Sequence, residues 1–302
     1  VNIPELQKAI LQLKKEKNAY ILAHNYQLPE IQDVADHVAD SLGMARHALT
    51  IKEDLVVVCG VYFMAETVSI LNPEKRILIP DTNAGCPLAN FAPIEEVRRW
   101  RQHYPDHTFV AYVNSSAKVK AEVDICCTSA NAVDIVRRVE GDKIVFLPDK
   151  NLGRYVQKRV PEKEIVLWPG FCVVHETADI EAIVKTKELH PDALVVVHPE
   201  CPEEIQEMAD GICSTGQMIQ FVENHPETKE FIIVTEWGMV YALQKRFPDR
   251  VFIEPSHRME CKNMKRITLA KLYDSLKEEK FVVKVDEQIR QKAYKSIEKM
   301  LA

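Results

Sequence analysis

Three cysteines in this chain, Cys86, Cys172 and Cys261, stand at almost equal intervals of 86 and 89 residues. Each follows a short apolar run that breaks into a Gly/Pro-rich or polar loop. Arg76-Ile77-Leu78-Ile79-Pro80 precedes Gly85-Cys86-Pro87, Ile165-Val166-Leu167 precedes Trp168-Pro169-Gly170-Phe171-Cys172, and Val251-Phe252-Ile253-Glu254-Pro255 precedes Glu260-Cys261. The period extends beyond the cysteines. His24, Tyr112 and His198 mark the ends of three other apolar runs at intervals of 88 and 86 residues, and Ser41, Ser129 and Thr215 keep the same two intervals. A chain that carries one unit three times is constrained to three versions of one supersecondary motif.

Each unit reads as helices alternating with strands. The first opens with a helix from Ile3 to Lys17, with Asn2 at its cap and Pro4 in its first turn, and the strand Tyr20 to Ala23 leads to His24-Asn25-Tyr26. A helical stretch around Ser41-Leu42-Gly43-Met44-Ala45 is followed by the strands Leu55 to Val58 and Arg76 to Ile79. The second and third units repeat this order. Their strands are Phe109 to Asn114, Lys143 to Leu147, Leu194 to Val197 and Phe231 to Val234, together with those that lead to Cys172 and Cys261. Such alternation implies parallel βαβ units with right-handed crossovers. The expected boundaries are 1–92, 93–177 and 178–264. Residues 265–302 close on the first unit: Lys265 to Lys280 resembles the opening helix of a fourth copy, and a last helix from Asp286 to Leu301 places Ile289, Ala293, Ile297 and Met300 on one face.

Composition narrows the function classes. A net charge of −6 with no basic stripe argues against nucleic acid as a partner. The longest apolar run, Leu55 to Leu71, is interrupted by Glu66 and is too short for a membrane span. Lys14, Lys15 and Lys17 follow Glu5 in an amphipathic pattern, so the N-terminal stretch reads as a helix rather than a signal peptide, and a cytoplasmic location is expected. Eight cysteines in such a chain point to metal or catalytic use rather than a disulfide framework. The absence of any Cys-x-x-Cys pair means that a metal centre must draw its ligands from distant segments.

In parallel α/β sheets ligands bind beyond the C-terminal ends of the strands, which is where these residues fall. Three related units around a pseudo-threefold axis would direct those ends into one central cavity. Three thiolates are informative, because a structural zinc or an electron-transfer cluster normally takes four protein ligands, whereas three leave a position open for a substrate. Cys59, Cys126, Cys127 and Cys213 read instead as small buried hydrophobes. Cys201 aligns with the tail of a first strand rather than with the loop that yields the other three. Ser41, Ser129 and Thr215 read either as helix N-caps or as anion-binding helix starts. His24, Tyr26, Tyr112, Asn114, His175, His198 and Glu200 are the acid/base and orienting candidates, with His198-Pro199-Glu200 placing an imidazole and a carboxylate close together.

These motifs resemble quinolinate synthase of NAD biosynthesis, the quinolinate synthetase A family, over nearly the whole length. The resemblance is carried by Ala23-His24-Asn25-Tyr26-Gln27, Gly85-Cys86-Pro87-Leu88-Ala89, Tyr112-Val113-Asn114-Ser115, Thr128-Ser129-Ala130-Asn131-Ala132, Pro148-Asp149-Lys150-Asn151-Leu152-Gly153, Trp168 through His175, His198-Pro199-Glu200-Cys201, Ser214-Thr215-Gly216 and Cys261-Lys262-Asn263-Met264-Lys265. It implies three homologous αβα domains with parallel sheets around a pseudo-threefold axis and the active site in the central cavity. It also implies one 4Fe–4S cluster per chain, held by Cys86, Cys172 and Cys261 with one open iron that acts as a Lewis acid. The implied reaction, of transferase or synthase type, condenses iminoaspartate with dihydroxyacetone phosphate to quinolinate, with loss of phosphate and two waters. An L-aspartate oxidase would supply the iminoaspartate.

By the same resemblance Tyr26, Tyr112, His198 and Glu200 handle protons, while His24, Ser41, Asn114, Ser129, His175 and Thr215 hold carboxylate or phosphate. The chain departs from members that carry Cys-x-x-Cys-x-x-Cys near the last ligand, since only Cys261 stands there. From the residues themselves two other classes stay open. One is a different metal-dependent hydro-lyase acting on a di- or tricarboxylate. The other is a non-catalytic metabolite-binding or iron–sulfur sensing protein.

Overall fold

The β-branched runs become the inner strands of three sheets, because residues buried on both faces cannot be satisfied at an edge. The structure, a computed structural model, describes residues 2–255 and 258–302. Its strands are β1 (Ala19–His24), β2 (His37–Ala39), β3 (Leu55–Cys59), β4 (Arg76–Leu78), β5 (Thr108–Tyr112), β6 (Ile125–Cys127), β7 (Lys143–Leu147), β8 (Glu164–Leu167), β9 (Leu194–Val197), β10 (Gly211–Ile212), β11 (Glu230–Val234) and β12 (Val251–Ile253). They form three four-stranded sheets, ordered β2-β1-β3-β4, β6-β5-β7-β8 and β10-β9-β11-β12, and the paired strands run parallel throughout. The α/β class with three parallel sheets is therefore what the chain forms. In each sheet the order reverses between the first and third strands, which opens a crevice at their C-terminal ends.

One expectation is corrected. The sequence pattern gave three strands per unit, and each sheet has a fourth: β2, β6 and β10, at an edge and only two or three residues long. Runs so short carry no readable alternation. They are held by a repeated acidic residue instead. The carboxylates of Asp36, Asp124 and Asp210 accept the backbone N–H of Ile21, Phe109 and Val195, each at 2.8 Å. The backbone N–H groups of the same three aspartates donate back to the carbonyls of Ile21, Phe109 and Val195. The three aspartates keep the 88- and 86-residue intervals.

The chain divides into two compact units, Val1–Cys86 with Ser116–Glu122 and Cys261–Ala302, and Pro87–Ser115 with Val123–Glu260. In the first, the core is the wholly buried β3 flanked by Ile21, Leu22 and Ala23 of β1. Each such Val, Leu or Ile contributes roughly 1.5–3 kcal/mol when fully buried. The opening helix spans Ile3–Glu16; Asn2 occupies its cap position, but its side chain makes no capping bond there. The stretch expected to open a fourth copy forms a 3₁₀ turn, Met264–Arg266, and a helix, Leu269–Glu278, that packs on the opening helix. The segment after it adds antiparallel bonds to β4, Ile79 N–H to Phe281 O and Val283 N–H to Ile77 O. The last helix, Glu287–Leu301, buries Ala293, Ile297 and Met300 and packs on the helices Ala117–Glu122 and Tyr62–Leu71.

The second unit holds the other two sheets. Here Gly153 lets the helix Lys150–Arg159 lie flat on the sheet, since a Cβ at that position would stand 2.6 Å from Leu167 Cδ2 and 2.9 Å from Phe146 Cδ1. No helix among the described residues is long and apolar enough to cross a membrane.

Candidate active site

The first strand of each unit ends in a turn of fixed design. In the first and third repeats the histidine at the strand end turns its ring back on the chain. His24 Nδ1 accepts the N–H of Tyr26 at 3.0 Å, and His198 Nδ1 accepts the N–H of Glu200 at 3.1 Å. A buried glutamine braces each turn from behind: Gln32 Nε2 donates to Asn25 O and Gln27 O, and Gln206 Nε2 donates to Pro199 O and Cys201 O. In the second repeat Tyr112 and Asn114 hold the sequence positions of the histidine and of the residue two positions on, and Lys120, fully buried, holds that of the glutamine. One scaffold thus presents Tyr26, Asn114 and Glu200 at three equivalent points.

Around Glu200 the side chains converge. Its carboxylate accepts the hydroxyl of Tyr112, and its other oxygen lies 2.7 Å from His175 Nδ1 and 3.8 Å from His198 Nδ1. The imidazoles of His175 and His198 stack at 4.6 Å. His175 Nδ1 is also 3.2 Å from Cys172 Sγ, and its Nε2 is 2.8 Å from Thr235 Oγ1. Cys172, His175 and Glu200 bring three ligand atoms within 4.8 Å of one another, a group able to hold a metal ion. Burial pushes the Glu200 carboxyl up, but the charges of His198 and His175, with the hydrogen bonds from His175 and Tyr112, overcome it and hold the group at about 2.

Beneath lies a second buried carboxyl, Asp149, pushed well above the ordinary carboxylate range by burial and then by Glu200, against the N–H groups of Leu152, Asn151 and Cys172. Two neighbouring carboxyls with opposed shifts divide the roles of charged acceptor and neutral donor between them.

The cysteine loops are alike at the backbone level. The N–H of Tyr62 donates to Ala84 O at 2.7 Å, that of Lys150 to Gly170 O at 2.7 Å, and that of Trp237 to Met259 O at 3.0 Å. In each case the acceptor stands two residues before Cys86, Cys172 or Cys261. A one-turn 3₁₀ helix begins three residues after each, at Ala89, His175 and Met264. These three cysteines are half-buried, whereas Cys59, Cys126, Cys127, Cys201 and Cys213 are buried. Burial pushes the Cys213 thiol up to about 11 and those of Cys59, Cys127 and Cys201 up as well. The thiol of Cys201 points at Val234 O. The three half-buried thiols stand at equivalent backbone positions, each in a loop that leaves its sulfur chemically accessible; the five buried ones are suited to packing.

Two of the helix starts show a shift of one residue. Asp40 caps the helix Ser41–Ala48 through Gly43 N–H, and Ser214 caps Thr215–Glu223 in a reciprocal box with Gln217. Thr128 N–H donates to Asn131 Oδ1 at 2.8 Å, as Ser214 N–H does to Gln217 Oε1 at 2.9 Å. Ser41 and Thr215 are therefore first helical residues, and Ser129 precedes the helix Ala132–Arg138. The capping role expected of Ser41 and Thr215 belongs to Asp40 and Ser214, while Asn131 holds the cap position of the helix Ala132–Arg138 without a side-chain cap bond.

Of the residues expected at a site, the second unit contains Tyr112, Asn114, Ser129, Cys172, His175, His198, Glu200 and Thr215, and it joins Tyr112, Cys172, His175, His198 and Glu200 in one contact set. The first unit contains His24, Tyr26, Ser41, Cys86 and Cys261 and joins His24 to Tyr26, whose rings meet edge-on at 4.6 Å. The sequence reading gave no role to Asp149, Asn151 or Thr235. Asp149 and Thr235 each stand one or two residues past a third strand, so the rule that ligands gather at strand ends would have found them.

Comparison with known proteins adds an independent line. A family model described as quinolinate synthetase A protein matches residues 8–302. The chain is 51% identical over 292 residues to a quinolinate synthase of Thermodesulfovibrio yellowstonii, covering 97% of this chain and 96% of that one. It is 49% identical to a quinolinate synthase of Caldicellulosiruptor bescii, covering 100% and 99%, and 48% identical to that of Aquifex aeolicus, covering 99% and 94%.

Proposed function

The chain belongs to the quinolinate synthetase A family, and from that premise we propose that it condenses iminoaspartate with dihydroxyacetone phosphate to quinolinate, with loss of phosphate and two waters. The observation that carries the reading is the convergence of Tyr112, His175 and His198 on Glu200 beside Cys172. Cys86, Cys172 and Cys261 are the residues that would hold a 4Fe–4S cluster, and their equivalent loops support that assignment. When bound, the cluster supplies a Lewis-acidic iron for withdrawing a hydroxyl during dehydration.

The remaining work falls to side chains. Glu200 is the proton acceptor, with the Tyr112 hydroxyl as its immediate donor. His198 receives the N–H of Glu200 at Nδ1, which fixes the ring and directs Nε2 away from the turn for proton transfer. His175 is oriented by Thr235 and holds substrate carboxylate or phosphate together with His24, Asn114, Ser41, Ser129 and Thr215. Ser41 and Thr215 are first residues of helices capped by Asp40 and Ser214, and Ser129 lies just before the helix Ala132–Arg138. Backbone N–H groups there suit anionic substrates. Tyr26 serves in the first repeat as Glu200 does in the third.

The test is an anaerobic assay with both substrates, reading quinolinate and phosphate, on protein whose iron and sulfide have been counted. Quinolinate and phosphate released in equal amounts support the reading. Protein with a full cluster and no quinolinate overturns it.

A further inference from the structure

In two repeats the residue four places after the cysteine is tied to the same backbone atom of the next repeat. Glu176, four after Cys172, accepts Asn151 Nδ2–H at 2.7 Å, and the same nitrogen donates to the carbonyl of Glu200 at 3.2 Å. Lys150 Nζ holds the other Glu176 oxygen at 2.9 Å. Lys265, four after Cys261, donates from Nζ directly to the carbonyl of Tyr26, and Gln27 Nε2 adds a bond to Met264 O at 3.2 Å. Glu200 and Tyr26 occupy one position of the repeat, two residues past the histidine that ends the first strand.

The two ties are built from unlike parts. One is an acid bridged by an amide, the other a lysine that reaches the backbone directly, yet both end on the same carbonyl. Packing alone does not require that coincidence. A geometric demand does: the carbonyl of the turn residue fixes its Cα and hence the direction of its side chain. Misplacing a reacting group by about 1 Å costs on the order of 10²-fold in rate.

We propose that Asn151 and Lys265 are positioning residues, each registering a cysteine loop against the proton-handling side chain of the following repeat, Glu200 for Cys172 and Tyr26 for Cys261. The proposal rests on the reading of Cys172 and Cys261 as cluster ligands.

Asn151→Ala and Lys265→Met test it, with Lys265→Arg as the variant that keeps a donor. The first readout is alkylation of each cysteine, followed by mass spectrometry, in the full-length chain stripped of iron under anaerobic conditions. Asn151→Ala is expected to speed alkylation of Cys172 and not of Cys261, Lys265→Met to do the converse, and Lys265→Arg to match wild type. The second readout is turnover per bound cluster, where kcat is expected to fall about tenfold or more with KM nearly unchanged. If both variants merely melt earlier, with all three cysteines equally faster and kcat per cluster unchanged, the residues are structural braces and the proposal is overturned. The alkylation pattern decides the ties even if the wild-type chain proves to make no quinolinate, so the two failures are distinguishable.

Discussion

His24–Tyr26 and His198–Glu200 are the same turn with different cargo. In both, the ring nitrogen accepts the N–H two residues on and a buried glutamine braces two carbonyls. The environments then diverge. Glu200 is almost fully buried and meets Tyr112 and His175, whereas Tyr26 is half-buried with its ring against His24. The repeat has kept the device that aims a side chain and exchanged the side chain that is aimed. A buried carboxylate needs several partners to stay charged, and Glu200 finds them in Tyr112 and His175 of the preceding repeat. A tyrosine hydroxyl needs far fewer.

The same contrast applies to the cysteines, and breaking it there has the largest expected effect. Cys172 and Cys201 both lie close to Glu200, but only Cys172 sits in the loop shared with Cys86 and Cys261. Cys172→Ala, prepared anaerobically, is expected to lose the cluster absorption and all activity. Cys201→Ala should keep about four irons per chain, the content of one 4Fe–4S cluster. A colourless Cys201→Ala beside an iron-loaded Cys172→Ala would break the equivalence of the three loops.

Next in size is the exchange of the aimed groups themselves. Glu200→Gln and Tyr26→Phe are each expected to lower kcat by roughly 10²-fold or more, the usual size of lost acid/base help. Iron content and KM should stay near wild type. Glu200→Gln keeps an oxygen able to accept from Tyr112, so its loss would report the charge rather than the shape of the site. A near-normal kcat in either variant with a full cluster removes that residue from proton transfer.

Much of this was legible in the sequence because period and strand ends are. The three parallel sheets followed from intervals among Cys86, Cys172 and Cys261 and among His24, Tyr112 and His198. Convergence on Glu200 was foreshadowed by His198-Pro199-Glu200. What stayed hidden depended on contacts between segments far apart in the chain. The edge strands β2, β6 and β10 were too short to carry a pattern; their pairing with β1, β5 and β9 shows only in the structure, next to the reciprocal bonds of Asp36, Asp124 and Asp210. The caps were misplaced by one residue because Ser41 and Thr215 are good capping residues whose neighbours Asp40 and Ser214 are as good. Nothing local marked Asn151 as a bridge to Glu176 and Glu200, residues 25 and 49 positions further on.

The smallest expected effect lies where the first unit departs from its sisters away from the site. His37 on β2 and His47 on the following helix stack at 3.9 Å, and His47 Nε2 lies 2.5 Å from the Tyr20 hydroxyl. The equivalent pairs are Ile125 with Ile135 and Gly211 with Phe221, both without a titratable group, and a Cβ on Gly211 would stand 2.4 Å from Phe221 Cε2. Burial, and then the neighbouring His47, lower the His37 pKa below its ordinary 6.5. Asp36 and Glu53 face the same cluster through Tyr20. Because the folded state binds the His37 proton more weakly than the unfolded chain does, the stability linked to it is complete above pH 6.5 and is lost as pH falls through the lowered value. His37→Ile, which copies Ile125 and leaves His47 bonded to Tyr20, removes that titration. Thermal melts at pH 7.5 and pH 5 are expected to show a smaller drop on acidification in His37→Ile than in wild type, by an amount modest for so exposed a ring. Equal drops in the two proteins would mean that the histidine pair is as indifferent to protons as the isoleucine pair it replaces.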